Sequence, residues 1–434
     1  MVDPARDAAY DVVRRVRTED AYANLLLPAA LKRRSLSGRD AAFVTELVSG
    51  TIRRQGTYDA IIDASVDRRP DPDVRDALRL GVHQLLGMRV PTHAAVSTTV
   101  DLVRARIGQG PAGFVNAVLR RVGERSLTEW IRRVAPDDDI GFRSVAHSHP
   151  AWVVEALTEA LGESEIDALL EADNAPPKVT LVARPGLARV EELGGTPTGT
   201  SPYAVTLEGG DPGSIPAVAE GRAGVQDEGS QLVAVALAAA ELEGSDSTWL
   251  DVCAGPGGKA ALLAALATQR GALLVANEVQ QHRARLVRAA MTGHRVVVAD
   301  GRKPAWRKAA FDRILVDAPC SGLGALRRRP ESRWRRTPQD LSELVPLQKE
   351  LLARALDSVR PGGVVAYATC SPVLAETAGV VTAALDCNPH VVLEDARALF
   401  PTSDHAGPLP GTVQLWPHRH GTDAMFFALL RRTS

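Results

Sequence analysis

One glycine-rich turn and two Cys-Ser pairs carry the residue types in this sequence that could bind a reactive cofactor or form a covalent bond. The turn is Asp251-Val252-Cys253-Ala254-Gly255-Pro256-Gly257-Gly258-Lys259. Glycines in such a place let the main chain pass close to a ligand and leave amide N–H groups free at a helix start, which suits a nucleotide-like cofactor. The spacing is neither GxGxxG nor the GxxxxGK[ST] of a phosphate-binding loop. A dinucleotide fold and a methyltransferase fold both stay open, because an acid about 20 residues further on, Glu278 here, grips a ribose in either. The cysteine pairs sit in Asp317-Ala318-Pro319-Cys320-Ser321-Gly322 and Tyr367-Ala368-Thr369-Cys370-Ser371-Pro372. A lone buried cysteine is ordinarily a small core hydrophobe, and Cys387 reads that way. Two pairs that each follow a strand-like run, each with a proline beside it, do not.

The surrounding pattern has to position these motifs. From residue 225 onward, apolar runs at 248–252, 272–276, 295–299, 313–316 and 364–368 alternate with helical patterns at 259–267, 280–291, 341–359 and 376–385. Strands apolar on both faces and separated by crossover helices imply an α/β fold with a doubly wound, mostly parallel, Rossmann-like sheet. Each chemical motif then falls where a strand ends, at the sheet edge where ligands gather in such folds. Residues 1–125 carry apolar positions at helical spacing, as in Phe43, Leu47, Val48 and Ile52. Breakers at Gly38, Gly56, Pro70 to Pro72, Pro91 and Gly108 to Pro111 divide this region into about five or six helices. Residues 150–224 read as two helices followed by short strands in a turn-dense stretch. The expected domains are 1–135, all-α; 145–224, small α+β; and 225–434, catalytic.

The 434 residues, 45% hydrophobic and 24% charged, exclude a wholly disordered or fibrous chain. Met1-Val2-Asp3-Pro4-Ala5-Arg6-Asp7 is not a secretory leader and no stretch reaches about 18 uninterrupted apolar residues, so a cytoplasmic location is expected. The four cysteines contain no CxxC pair and the histidines share no ligand spacing, so reduced thiols and no metal are expected. The net charge of −1 hides two basic regions. Residues 1–125 hold 20 Lys/Arg against 15 Asp/Glu, or +5; residues 301–336 hold 11 against 3, or +8. Basic patches in a neutral chain point to a polyanionic partner. The run Arg327-Arg328-Arg329-Pro330-Glu331-Ser332-Arg333-Trp334-Arg335-Arg336 follows the Cys320 loop, and phosphate contact with base stacking beside the pocket is its expected use.

Together these motifs resemble those of the RsmB/Sun (Fmu) group of RNA 5-methylcytosine methyltransferases, and the resemblance covers nearly the whole chain. That family carries a D-x-C/S-A-x-P-G-G-K cofactor turn, a D-A-P-C-S motif and a T-C-S motif, matched here by residues 251–259, 317–321 and 369–371. The resemblance implies S-adenosyl-L-methionine as cofactor, with Cys253, Ala254, Gly255, Pro256, Gly257, Gly258 and Lys259 forming its turn. It places Glu278, where the family usually has Asp, on the ribose, Asp300 on the adenine side and Asp317 beside the cofactor. Residues 225–231 look like the family's lead-in helix, and 418–427 like its closing strand motif. Residues 1–125, including Phe114-Val115-Asn116, resemble the NusB-type RNA-binding domain of this subgroup, which implies small-subunit ribosomal RNA as partner.

The implied activity is methylation of cytosine carbon 5, which is too weak a nucleophile to take a methyl group unaided. A thiolate adding to carbon 6 makes the ring an enamine that can. The resemblance assigns that thiolate to Cys370 and gives Cys320 a part in release. A free thiol ionises near pH 8.5, so Cys370 needs nearby positive charge or a helix start; Pro372 and the helix near Glu376 are the expected source. Lys259 is expected to orient Asp317 or a phosphate. The competing reading is a non-catalytic RNA-binding assembly or antitermination factor that keeps the fold as a scaffold, but a scaffold needs no pair of thiols at strand ends.

Overall fold

The computed structural model describes residues 2–433, which form two compact units. The first comprises residues 2–175 and 326–336, the second residues 176–325 and 337–433.

In the first unit, residues 2–125 form seven α-helices: Pro4–Thr18, Ala23–Arg33, Gly38–Arg53, Gln55–Asp63, Pro72–Val82, Thr92–Arg106 and Ala112–Val122. The sequence reading gives fewer because the first break carries neither glycine nor proline; the chain turns there at Asp20, whose φ of 53° is left-handed. Val12, Leu47, Ile52, Tyr58 and Leu119 share one apolar core. Further helices, Leu127–Val134, Asp139–Ala146, Ala151–Leu161 and Ile166–Ala172, belong to the same unit. The region read as one α+β segment is therefore divided, its helices lying in the first unit and its strands in the second.

The arginine-rich run does something other than expected. Residues 326–336 are part of the helical unit, and Arg333 is completely buried in it. Its guanidinium donates to the carbonyls of Arg53, Ser148 and Asp173 and to Asn174 Oδ1 at 2.8–3.5 Å. Trp334 Nε1 donates to Ile52 O at 2.9 Å, and Arg335 to Val16 O at 3.1 Å. Several of these carbonyls lie at helix C-termini, where the last turn leaves acceptors without partners. The run supplies donors for them: Arg333 is fully buried, and Trp334, half-buried, packs against the helical core.

The second unit holds two sheets. In the smaller, β1 (Val179–Ala183), β2 (Thr196–Pro197), β3 (Ala204–Leu207) and β4 (Ala223–Val225) pair antiparallel in the order β2-β3-β1-β4. In the larger, β5 (Thr248–Asp251), β6 (Leu273–Asn277), β7 (Arg295–Val297), β8 (Phe311–Asp317) and β9 (Val359–Thr369) run parallel. Then β10 (Val391–Glu394), β11 (Val413–Gln414) and β12 (Phe426–Arg432) complete it antiparallel. The order is β10-β12-β9-β8-β5-β6-β7, with β11 on β12. The strand order reverses at β5 and β8, and the crevice at their carboxyl ends is where such sheets bind ligands. The crossover helix Gly258–Gln269 is Ala/Leu-rich and buried along most of its length, as a helix pressed on a parallel sheet must be. No helix among the described residues is long and apolar enough to cross a membrane.

Candidate active site

The turn 251–259 leaves β5, the Cys320 loop leaves β8 and the Cys370 loop leaves β9, so all three motifs emerge at one edge of the sheet.

Around the turn, Gly255 N donates to Glu278 Oε2 at 3.1 Å, and Gln280 N donates to Glu278 Oε1 at 2.8 Å. A Cβ at Gly255 would lie 2.0 Å from Glu278 Oε2, so any side chain there would displace the Glu278 carboxylate. Glu278 is 4% exposed; each oxygen holds one amide and keeps a second acceptor site. Cys253 and Lys259 are half-buried and Ala254 is buried, while Pro256 and Gly258 are exposed. Burial, then the charges of Asp251 and Asp317, raises the Cys253 thiol well above its usual range and keeps it protonated. Asp300 lies beyond β7 with its carboxylate held by Arg302, whose hydrogen bonds lower its pKa.

Asp251, the last residue of β5, is not among the expected cofactor residues, and its carboxyl is a conspicuous feature of the turn. Burial first, and the charge of Asp317 second, pushes its pKa to about 8. Its Oδ1 accepts from Cys253 N at 3.2 Å, while Oδ2 has no hydrogen-bond partner among the described residues. The same is true of Asn277 Oδ1 at the end of neighbouring β6, and of Gln226 Oε1. Buried polar atoms without partners beside a glycine turn fit a ligand that brings polar groups of its own. The sequence signal for Asp251 is its place at the head of the motif.

Asp317 ends β8, and its Oδ2 meets Lys259 Nζ at 2.9 Å, so the expected pair is brought together. Burial opposes the Lys259 ammonium, but Asp317 and Cys370 outweigh it and its pKa is raised. The two sulfurs lie 3.5 Å apart. A hydrogen bond from Cys320 lowers the Cys370 pKa, aided by the Lys259 charge against burial and the Asp317 and Asp423 carboxylates. The same hydrogen bond, with burial and the charges of Cys370 and Glu376, raises Cys320 well above the thiol range. Of the two, Cys370 is the one held toward the thiolate form. The helix expected near Glu376 begins at Ala378, and Glu376 turns its side chain to Ser321. Cys387 is exposed, not a core residue as expected.

The segments read as lead-in helix and closing strand motif meet, with Asp423 N donating to Asp227 Oδ1 at 3.1 Å. No group of three or more His, Cys, Asp or Glu among the described residues is arranged to hold a metal ion. Sequence reasoning also missed Glu376 and Gln348, both buried behind the cysteine loops. Gln348 lies within the long helix Pro338–Ser358, and nothing in its spacing marks it.

Comparison with known proteins agrees with this geometry. The sequence pattern of the family described as 16S rRNA methyltransferase RsmB/F matches residues 237–431, and that of the NusB family matches residues 3–124. The protein Rv1407 of Mycobacterium tuberculosis is 52% identical over 446 residues, covering 99% of this chain and 97% of that one. Ribosomal RNA small subunit methyltransferase B of Vibrio cholerae is 32% identical, covering 94% and 92%. The solved structure of PH0851 superimposes with a TM-score of 0.83 at 24% identity, covering 100% of this chain and 99% of that one, which shows the shared fold. The chain belongs to the RsmB/F family of 16S rRNA methyltransferases, with a NusB-family region ahead of the catalytic one and S-adenosylmethionine as its cofactor.

Proposed function

We propose that this chain methylates carbon 5 of a cytosine in small-subunit ribosomal RNA, in the cytoplasm, through a covalent bond between Cys370 and carbon 6. The observation that carries this reading is the 3.5 Å approach of the two sulfurs at the ends of β8 and β9, an approach that pushes the Cys370 pKa down and the Cys320 pKa up. A thiolate is the attacking form of cysteine, and its neighbour in the thiol form holds a proton where that thiolate must later depart.

The turn at 253–259 would hold the cofactor, with Asp251 and Asn277 meeting its polar groups, Glu278 its ribose and Asp300 its adenine side. When bound, S-adenosylmethionine supplies an electrophilic methyl group. The residues of the chain do the rest. Cys370 adds to carbon 6 and gives the ring enamine character at carbon 5. Asp317, steadied by Lys259, would hydrogen-bond the polar edge of the base. After methylation a base takes the carbon 5 proton, its electron pair restores the ring double bond, and the carbon–sulfur bond breaks with its pair returning to Cys370. The Cys320 S–H assists by hydrogen-bonding the departing thiolate. A cytosine stacked in a duplex cannot be approached this way, so the target is single-stranded or flipped. The helical unit, whose residues 3–124 match the NusB family and whose residues 1–125 carry a net charge of +5, is proposed to add RNA affinity without chemistry.

Bisulfite sequencing of 16S ribosomal RNA from cells with and without this gene tests the reading. One cytosine is expected to lose protection without the gene and regain it when the gene is restored. An identical protection pattern in both strains would refute it.

A further inference from the structure

Behind the two sulfurs lies a buried acid that the chemistry above does not use. Glu376 ends a short turn, Leu374–Glu376, between the Cys370 loop and the helix Ala378–Cys387, and is completely buried. Its Oε1 accepts from Ser321 N at 2.8 Å and from Gln348 Nε2 at 2.9 Å, and its Oε2 accepts from Ser321 Oγ at 2.6 Å. Ser321 Oγ also lies 2.9 Å from Ser371 Oγ. A hydroxyl has one hydrogen, and Ser321 gives it to Glu376, so the Ser371 hydroxyl is the donor to Ser321. The relay runs Ser371 to Ser321 to Glu376, through the residue that follows each cysteine. Gln348 Nε2 extends it by donating to Pro319 O at 2.8 Å, on the other side of Cys320.

We propose that Glu376 is a positioning residue of this centre: its side chain clamps the Cys320 loop to the Cys370 loop and thereby sets the approach and orientation of the two sulfurs. The inference rests on the covalent reading for its catalytic consequence. The clamp itself rests on these contacts and on the close fit at Gly324, whose amide donates to Cys370 O at 2.9 Å. A Cβ at Gly324 would lie 2.2 Å from Ala424 O and 2.9 Å from Cys370 O, so the loops are stitched together on this side as well. An acid satisfied by neutral donors in a buried site is costly to keep, and apolar residues could fill the space. What the acid adds is charge. Cys320 faces Cys370, Glu376 and the Gly322 amide; Cys370 faces Cys320, Asp317, Lys259 and Asp423. The Glu376 charge thus falls on Cys320 and helps keep it a thiol, the form that donates to Cys370.

The test is site-resolved alkylation of the full-length protein by iodoacetamide between pH 6 and 10, read by mass spectrometry, for wild type, Glu376→Gln and Ser321→Ala, alongside methylation kinetics. In wild type Cys370 should react ahead of Cys320 throughout. In Glu376→Gln the Cys320 rate at pH 8 should rise about tenfold, the effect of about one pKa unit, while kcat falls about tenfold at unchanged KM for RNA. Ser321→Ala keeps the acid but cuts the relay, so it should lower kcat while leaving the pH midpoint of Cys320 in place. Wild-type alkylation profiles and kcat in a folded Glu376→Gln protein would overturn the proposal. If that variant does not fold, Ser321→Ala decides: reduced kcat at unchanged KM supports the clamp, and wild-type kcat overturns it. Failure of wild type to form an adduct on 5-fluorocytosine RNA would refute the covalent reading instead, and the alkylation profiles would still decide whether Glu376 sets the thiols.

Discussion

Cys320 and Cys370 are 50 residues apart in sequence and 3.5 Å apart at sulfur. The register of β8 on β9 explains it. Asp317 pairs with Ala368, so the strands end together. Cys320 follows Asp317 by three residues and Cys370 follows Ala368 by two, so both loops leave the sheet at the same height. Parallel pairing is what allows this, because both strands then present their carboxyl ends to one crevice.

Binding of S-adenosylmethionine should depend on Glu278, which shapes the Gly255 turn and is proposed to meet the ribose. Glu278→Ala should weaken the calorimetric Kd by about 10- to 100-fold, the loss of a charged hydrogen bond worth about 1.5–3 kcal/mol. An unchanged Kd would remove that carboxylate from the cofactor site.

The contribution of Asp251 to the stability of the cofactor-free protein should fall as pH rises. Folded Asp251 keeps its proton up to about pH 8, whereas an unfolded Asp loses it near 4. The folded state therefore binds more protons between those values, and each upward step in pH across the window favours unfolding. Asp251→Asn should flatten this contribution between pH 5 and 8 and melt above wild type at pH 8. Parallel melting curves against pH for the two proteins would contradict it.

The parts of the site that were legible in sequence share a local signal. The glycine turn and the two Cys-Ser pairs each follow a short apolar run, so the fold alone puts them at one edge. Glu376 and Gln348 carry no such signal, because their role depends on which loop lies opposite. The run 327–336 misleads for a different reason: arginines and a tryptophan are what both a phosphate surface and a set of helix C-terminal carbonyls select. Only the partners of Arg333 distinguish the two. Strand β9 starts at Val359, earlier than its apolar stretch, because Arg360-Pro361-Gly362-Gly363 masks the first residues.

Arg333→Met should destabilise the helical unit by about 3 kcal/mol or more, since several buried carbonyls lose their donor at once. A urea melt followed by tryptophan fluorescence would measure this. A loss under about 1 kcal/mol would return Arg333 to the candidates for RNA contact.

RNA affinity from the helical unit is best tested without truncation, because deleting residues 1–125 would also remove Arg53 and Ile52, partners of Arg333 and Trp334. Arg39, Arg104 and Arg120 are exposed. Changing all three to Glu should weaken RNA binding and reduce the slope of log affinity against log salt, by about 0.7–0.9 for each phosphate no longer neutralised, with cofactor binding intact. Equal affinity and slope would place the RNA surface elsewhere.

The central claim is that Cys370 attacks and Cys320 assists release, and denaturing electrophoresis of protein mixed with cytosine-containing target RNA and S-adenosylmethionine tests it most directly. Cys370→Ala should give neither methylation nor a covalent adduct, because no bond to carbon 6 forms. Cys320→Ala should accumulate an adduct, because attack and methylation proceed while release is impaired. The reverse pattern, an adduct from Cys370→Ala and none from Cys320→Ala, would contradict the assignment and make Cys320 the nucleophile.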